Sequence, residues 1–285
     1  SIFYMLEEIE KRRSCRKFKR KKVSAEVIEK LVWAACQAPA GGNLARWEVI
    51  VVTNEEVKNE LTKASLNQEF ISEASVVLVF IGGREFNTAC AVENLLVVAH
   101  TMGLEGCIVG AFDREAVRKI LNIPDDVNVN CIVPVGYPKV EEKNPGKRYP
   151  VEVIHFERYG ARKITEETLK TVVKDALLKV EEFNELLKEL VERFGENSFE
   201  VYRLEEKYAA FVFKPILWRI RYLLTYLGFK TEADKVSKIL EEYSNGRGKR
   251  LSETRDINSK EVIEWERKYS REIFPKIIKE LGEKF

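Results

Sequence analysis

Histidine and glutamine are scarce in this 285-residue chain: only His100 and His155, Gln37 and Gln68. The five cysteines (Cys15, Cys36, Cys90, Cys107, Cys131) include no CxxC pair. With two histidines beside them, no zinc set can be assembled at known spacings, so no metal is expected. Reduced thiols are the default for such a set. Net charge is only +2, which gives no ground for broad nucleic-acid binding. No uncharged apolar run reaches membrane-spanning length, because the longest candidate, Tyr208–Gly228, is broken by Lys214, Pro215, Arg219 and Arg221. No signal peptide is visible either, since Ile2–Leu6 is short and runs into Glu7 and Glu8. These absences point to a cytoplasmic protein without a membrane or nucleic-acid partner. What is abundant is charge, 33% of residues, which with so little glutamine leans toward a thermophilic source. The apolar fraction of 45% suffices for a real core, and the length allows one large domain or two ordinary ones.

The stretch from Arg12 to Val52 organises the first half. Met5, Leu6 and Ile9 recur at helical spacing, so Tyr4–Arg13 reads as a helix that delivers Arg12, Arg13, Ser14 and Arg16. A solvated basic face is one reading of that cluster. A phosphate clamp is the other, because guanidinium forks match phosphate oxygens and a hydroxyl adds a donor. Ser24 caps a helix that stops at Pro39. Ala40-Gly41-Gly42-Asn43 follows, a turn small enough for backbone to approach a ligand, or an ordinary loop. Trp47–Val52 reads as a strand buried on both faces. Asn54 caps the next helix, and Asn67 and Gln68 precede the strand Val76–Ile81. Gly82-Gly83 lacks either phosphate-loop spacing. Asn87–Met102 is apolar around most of its surface, so it lies in a core or a dimer interface, with His100 as a packed structural residue. Asp113 caps another helix, Asn130–Gly136 is a further strand, and Lys147 and Arg148 follow a loop. Strands alternating with helices give a mixed α/β sandwich.

After Gly160 the texture becomes helical. Thr165 caps a long amphipathic helix, a second stretch from Glu200 to Leu227 should kink at Pro215, and Thr231 caps a third. Ser244–Asp256 reads as a polar Gly/Arg loop and Ser259–Leu281 as a last helix. The aromatic stripe Phe211, Phe213, Trp218, Tyr222 and Tyr226 reads as core.

RRSCRKF, the turn APAGGN before a Trp-led strand, ENLLVVAHTMGLEGCIVGAF, the REAVRKILNIPDDV helix and VPVGYP resemble, in that order, the FMN-dependent nitroreductase family. The resemblance spans Ile2–Tyr159 and implies an α+β fold with an FMN-binding domain at 1–160. An unrecognised all-helical extension follows at 161–285. It implies that Arg12, Arg13, Ser14 and Arg16 hold the FMN phosphate and ribityl chain, helped by Arg148. Pro39, Ala40, Gly41, Gly42 and Asn43 would press on the flavin from the other subunit of a homodimer. Asn67 would meet the pyrimidine edge, and Ile108, Val109 and Gly110 would lie along the isoalloxazine, with the Val109 N–H donating to N5. The chain departs from the family at Leu44-Ala45-Arg46, where Gln and Pro are usual, at Ala40, at Phe70 and in a very short segment before Asn87.

The family's activity would be hydride transfer from NAD(P)H to FMN and on to a nitro compound, quinone or flavin in a ping-pong scheme, with no side chain as general acid or base. The alternative is a flavin-binding sensor or docking module, for which the helical extension would make partner contacts. The extension could instead close the active site.

Overall fold

The structure, a computed structural model, describes residues 5–285, so the expected helix start at Tyr4 lies outside the described residues. The chain divides into two compact units at Asn144/Pro145, whereas the sequence suggests a boundary at 160/161.

The N-terminal unit is built on one four-stranded sheet in the order β1-β2-β4-β3, with every neighbouring pair antiparallel. Its strands are β1 (Glu48–Val52), β2 (Val76–Ile81), β3 (Glu105–Gly106) and β4 (Val129–Gly136). Side chains alternate across a strand. Val76, Leu78 and Phe80 of β2 therefore face one core with Leu31, Ala35, Leu95 and Ala99. Those partners come from α2 (Ala25–Cys36) and α5 (Glu85–Thr101). Val77 and Val79 face a second core with Leu61, Ile71 and Val117. These belong to α3 (Glu55–Ala64), α4 (Phe70–Glu73) and α6 (Arg114–Leu121). Ser24, Asn54 and Asp113 each accept the N–H three residues on, so three helix starts follow directly from capping residues. The expected N-terminal helix shrinks to α1 (Glu7–Lys11).

One strand corrects the sequence reading. β1 is the sheet edge and is buried only at Val52, with Val51 45% exposed. An apolar run alone does not tell a central strand from an edge one.

The C-terminal unit is helical: α7 (Glu166–Phe194), α8 (Phe199–Glu206), α9 (Lys214–Leu227), α10 (Lys230–Thr254), α11 (Lys260–Lys268) and α12 (Phe274–Lys284). Phe183, Tyr208, Phe213, Tyr243, Tyr269 and Phe274 meet in its centre at ring separations of 5.0–6.5 Å. The expected kink at Pro215 is instead a π-helical stretch, Lys207–Phe213, that joins α8 to α9. A second one, Tyr269–Ile273, stands just ahead of Pro275. Proline lacks an N–H and crowds the carbonyl four residues back, and a wider turn relieves both faults.

Two further expectations are overturned here. The Ser244–Asp256 segment is helix to Thr254, because Gly246 lets the Trp265 ring lie against α10, where a Cβ would come within 2.1 Å of it. The aromatic stripe is mostly outside: Phe213 is buried, but Trp218 and Tyr226 are each 43% exposed. Residues 211, 218, 222 and 226 share the outer face of the helix, while 213, 216, 217, 220 and 224 share the inner one. Among the described residues no helix is long and apolar enough to cross a membrane.

Candidate functional site

Arg13–Lys19 runs as an extended strap beside the end of the sheet. Ser14 bridges in parallel to Gly106, the Cys15 N–H donates to the Gly106 carbonyl at 2.9 Å, and the Lys19 N–H donates to Tyr137 at 2.9 Å. Cys15 and Phe18 of this segment are buried, whereas Ser14 is exposed and Arg12, Arg13 and Arg16 are half-buried.

Arg13 has partners within the chain. Its guanidinium donates to the carbonyls of Glu10 (2.9 Å) and Arg12 (2.7 Å), and its N–H donates to Glu105 Oε2 at 2.8 Å. Arg12 Nε forms an ion pair with Glu93 at 3.6 Å, too long for a hydrogen bond, and is buried with no hydrogen-bond partner among the described residues. An orphaned buried donor is costly, and it suits a site that an anion fills. Burial raises the Cys107 thiol, and the positive charges of Arg16 and Arg12 pull in the other direction. Burial likewise pushes Cys15 up to about 12. Both thiols are packing groups, not nucleophiles.

Ile108–Gly110 follows Cys107 along β4. The Val109 N–H donates to the Ile132 carbonyl at 2.8 Å and Val109 is buried, so the expected N5 donor is already committed to the sheet. Alternation turns the N–H groups of Ile108 and Gly110 the other way. Ile108 is 51% exposed, and a Cβ at Gly110 would meet nothing within 4 Å.

Leu66 and Asn67 sit at φ of 58° and 56°, two successive left-handed residues without glycine. Such a conformation is strained and needs anchoring. The Gln68 amide supplies it, donating to Ser65 O at 2.9 Å and to Ala111 O at 3.2 Å. The turn that carries Asn67 is thus tied to Ala111 through its neighbour Gln68. Phe70 instead enters the core.

Pro39–Asn43 ends in a second left-handed pair, Gly42 and Asn43, at φ of 62° and 58°. Pro39, Ala40 and Gly41 line a separate cavity of about 560 Å³ with Arg46, Phe86 and Cys90. Gly83 packs on the Trp47 backbone, where a Cβ would come within 2.7 Å of the nitrogen, so Gly82-Gly83 is a packing contact. Arg148 belongs to the C-terminal unit, where its guanidinium lies over Trp218 and donates to Glu152 O at 3.3 Å.

Glu105 is the residue that the sequence reading missed. It is 8% exposed, and its second oxygen lies 2.6 Å from His100 Nδ1. A lone carboxylate inside the apolar run Leu104–Val109 was the available sign.

A family model described as the nitroreductase family matches residues 9–82 and 83–137. A protein of Archaeoglobus fulgidus, provisionally named NADH dehydrogenase/NAD(P)H nitroreductase, is 30% identical over 170 residues, covering 54% of this chain and 98% of its own. An NADPH-dependent oxidoreductase of Staphylococcus aureus USA300 is 30% identical over 189 residues, 55% of this chain and 75% of its own. The solved FMN-dependent nitroreductase of Clostridium difficile is 26% identical with a TM-score of 0.50, covering 54% of this chain and all of that one. Close to half of this chain therefore has no counterpart in these relatives.

Proposed function

The chain belongs to the nitroreductase family and is an oxidoreductase; from that premise we propose that it is an FMN-dependent, NAD(P)H-oxidising homodimer of the cytoplasm. The acceptor class is a nitroaromatic, quinone or flavin. The buried Arg12 Nε, without a hydrogen-bond partner among the described residues and two residues from Ser14, is the observation that carries the cofactor assignment.

In this reading Arg12 and Arg16 grip the FMN phosphate and Ser14 adds a hydroxyl donor. Bound FMN supplies the hydride chemistry at N5. The chain's own work is positioning: Ile108 and Gly110 present backbone N–H groups toward the ring, and Asn67 meets its pyrimidine edge. No side chain is assigned as acid or base. Gly41, Gly42 and Asn43, with Pro39 and Ala40, serve the partner subunit's flavin. Trp33, Leu44 and Phe86 support an interface there, being 65%, 58% and 80% exposed in the single chain. All five cysteines are free, in keeping with a reducing compartment.

Anaerobic mixing of the FMN-loaded protein with NADH or NADPH tests this. Bleaching of the flavin band, followed by its return on adding menadione or nitrofurazone, is the expected result. A flavin that dithionite reduces but neither nicotinamide bleaches would mark a sensor and sink the enzyme reading.

A further inference from the structure

The C-terminal unit holds a cavity of about 800 Å³ lined by residues of Gly146–Arg148, α9 and α10. That is within the roughly 300–1,000 Å³ of small-molecule sites. Lys214, Trp218 and Arg221 line it at helical spacing from α9, and Ser237, Glu241 and Ser244 do so from α10.

Its charge is unbalanced. Five cationic side chains line it against the single carboxylate of Glu241. Arg219 is neutralised, since it is bidentate to Glu152 at 2.8 and 2.9 Å. Lys147, Lys214 and Arg221 have no ion pair among the described residues. Lys214 is half-buried, and desolvation, with the nearby Arg247 charge, lowers its pKa below the usual lysine value. A partly desolvated ammonium without a counter-ion is costly and is relieved by an anion.

The remaining wall is apolar: Ala210, Pro215, Leu240 and the exposed ring of Trp218. Ala210 belongs to the π-helical stretch Lys207–Phe213, and such turns are often found where a helix is shaped for a ligand. A basic end beside an indole matches a flat ring that carries phosphate.

We propose that this cavity is a second ligand site, taking an organic phosphate of nucleotide size, with the phosphate at Lys147, Lys214 and Arg221 and the ring against Trp218. The site lies wholly inside the C-terminal unit and does not rest on the flavin reading.

Calorimetric titration of the full-length, FMN-saturated protein with ADP, with pyrophosphate and with adenosine tests it. ADP should bind with one equivalent per chain, more tightly than either fragment. In Lys214→Ala the dissociation constant for ADP should rise about tenfold. In Trp218→Ala it should rise by a similar factor, while pyrophosphate binding stays the same. Melting temperatures of both variants show that they are folded; because both side chains are partly exposed, little change is expected. ADP binding unaltered in both variants would locate it elsewhere, for instance where the nicotinamide coenzyme binds, and would overturn the proposal. Absence of ADP binding at millimolar concentration would overturn it too, as would pyrophosphate binding as tightly as ADP.

Discussion

Glu105 ties the start of the N-terminal unit's basic strap to its longest helix: one carboxylate oxygen accepts the Arg13 N–H at 2.8 Å and the other meets His100 Nδ1 at 2.6 Å. The carboxylate is buried and both bonds are part-buried, so their removal leaves polar groups poorly satisfied. Glu105→Ala should destabilise the N-terminal unit by about 1–3 kcal/mol, and Glu105→Gln, which keeps one acceptor, by less. FMN should dissociate faster from both, because the strap that aims Arg12 and Arg16 is loosened. An unchanged melting temperature in Glu105→Ala would refute this coupling.

Arg12 and Arg13 are neighbours with opposite expected roles. Arg12→Ala should weaken FMN binding by about 1.5–3 kcal/mol, the worth of a charge-assisted bond. Arg13→Ala should weaken it much less, because that guanidinium is spent on the carbonyls of Glu10 and Arg12. Equilibrium dialysis of FMN against the two variants separates them; equal losses would contradict these separate roles.

Two glycines in α10 should respond in opposite directions to alanine. At Gly246 a Cβ would sit 2.1 Å from the Trp265 ring, so Gly246→Ala should cost about 1–3 kcal/mol through overpacking. At Gly248 nothing lies within 4 Å, so Gly248→Ala should stabilise the helix by about 0.4–1 kcal/mol. Urea midpoints of both variants decide this, and a stable Gly246→Ala would mean that Trp265 is free to move.

Glu266 gives the C-terminal unit a pH dependence. Burial, reinforced by the charge of Glu206 and opposed by Arg247, raises its pKa to about 8. The native state then keeps a proton that the unfolded chain has released, so stability is greatest below the ordinary carboxylate value near 4.5 and falls as pH rises toward 8. Glu266→Gln should flatten that slope. Urea midpoints at pH 5 and pH 8 are the measurement; a wild-type midpoint that rises over this range would show the sign to be wrong.

Local signals carried much of the fold. Ser24, Asn54 and Asp113 announced α2, α3 and α6 because capping is a bond between residues three apart. β2 and β4 announced themselves as apolar runs. The basic cluster of Arg12, Arg13 and Arg16 was legible too, as a local charge run. The Val109–Ile132 pairing was not legible, for a non-local reason: it joins segments more than twenty residues apart in the chain.

The C-terminal unit failed differently. Glycines at 246 and 248 read as a loop because their helix propensity is poor, yet packing against Trp265 outweighs that deficit. Trp218 read as core because it is large and apolar, yet it faces outward beside Lys214.

From residues alone came the family, the basic strap and the division into a sheet-bearing half and a helical half, since capping, periodicity and charge spacing act over a few residues. The partner of each N–H, the side on which an arginine lands and the cavity between α9 and α10 came from folding. Each depends on segments distant in the chain meeting, and no short-range pattern encodes that.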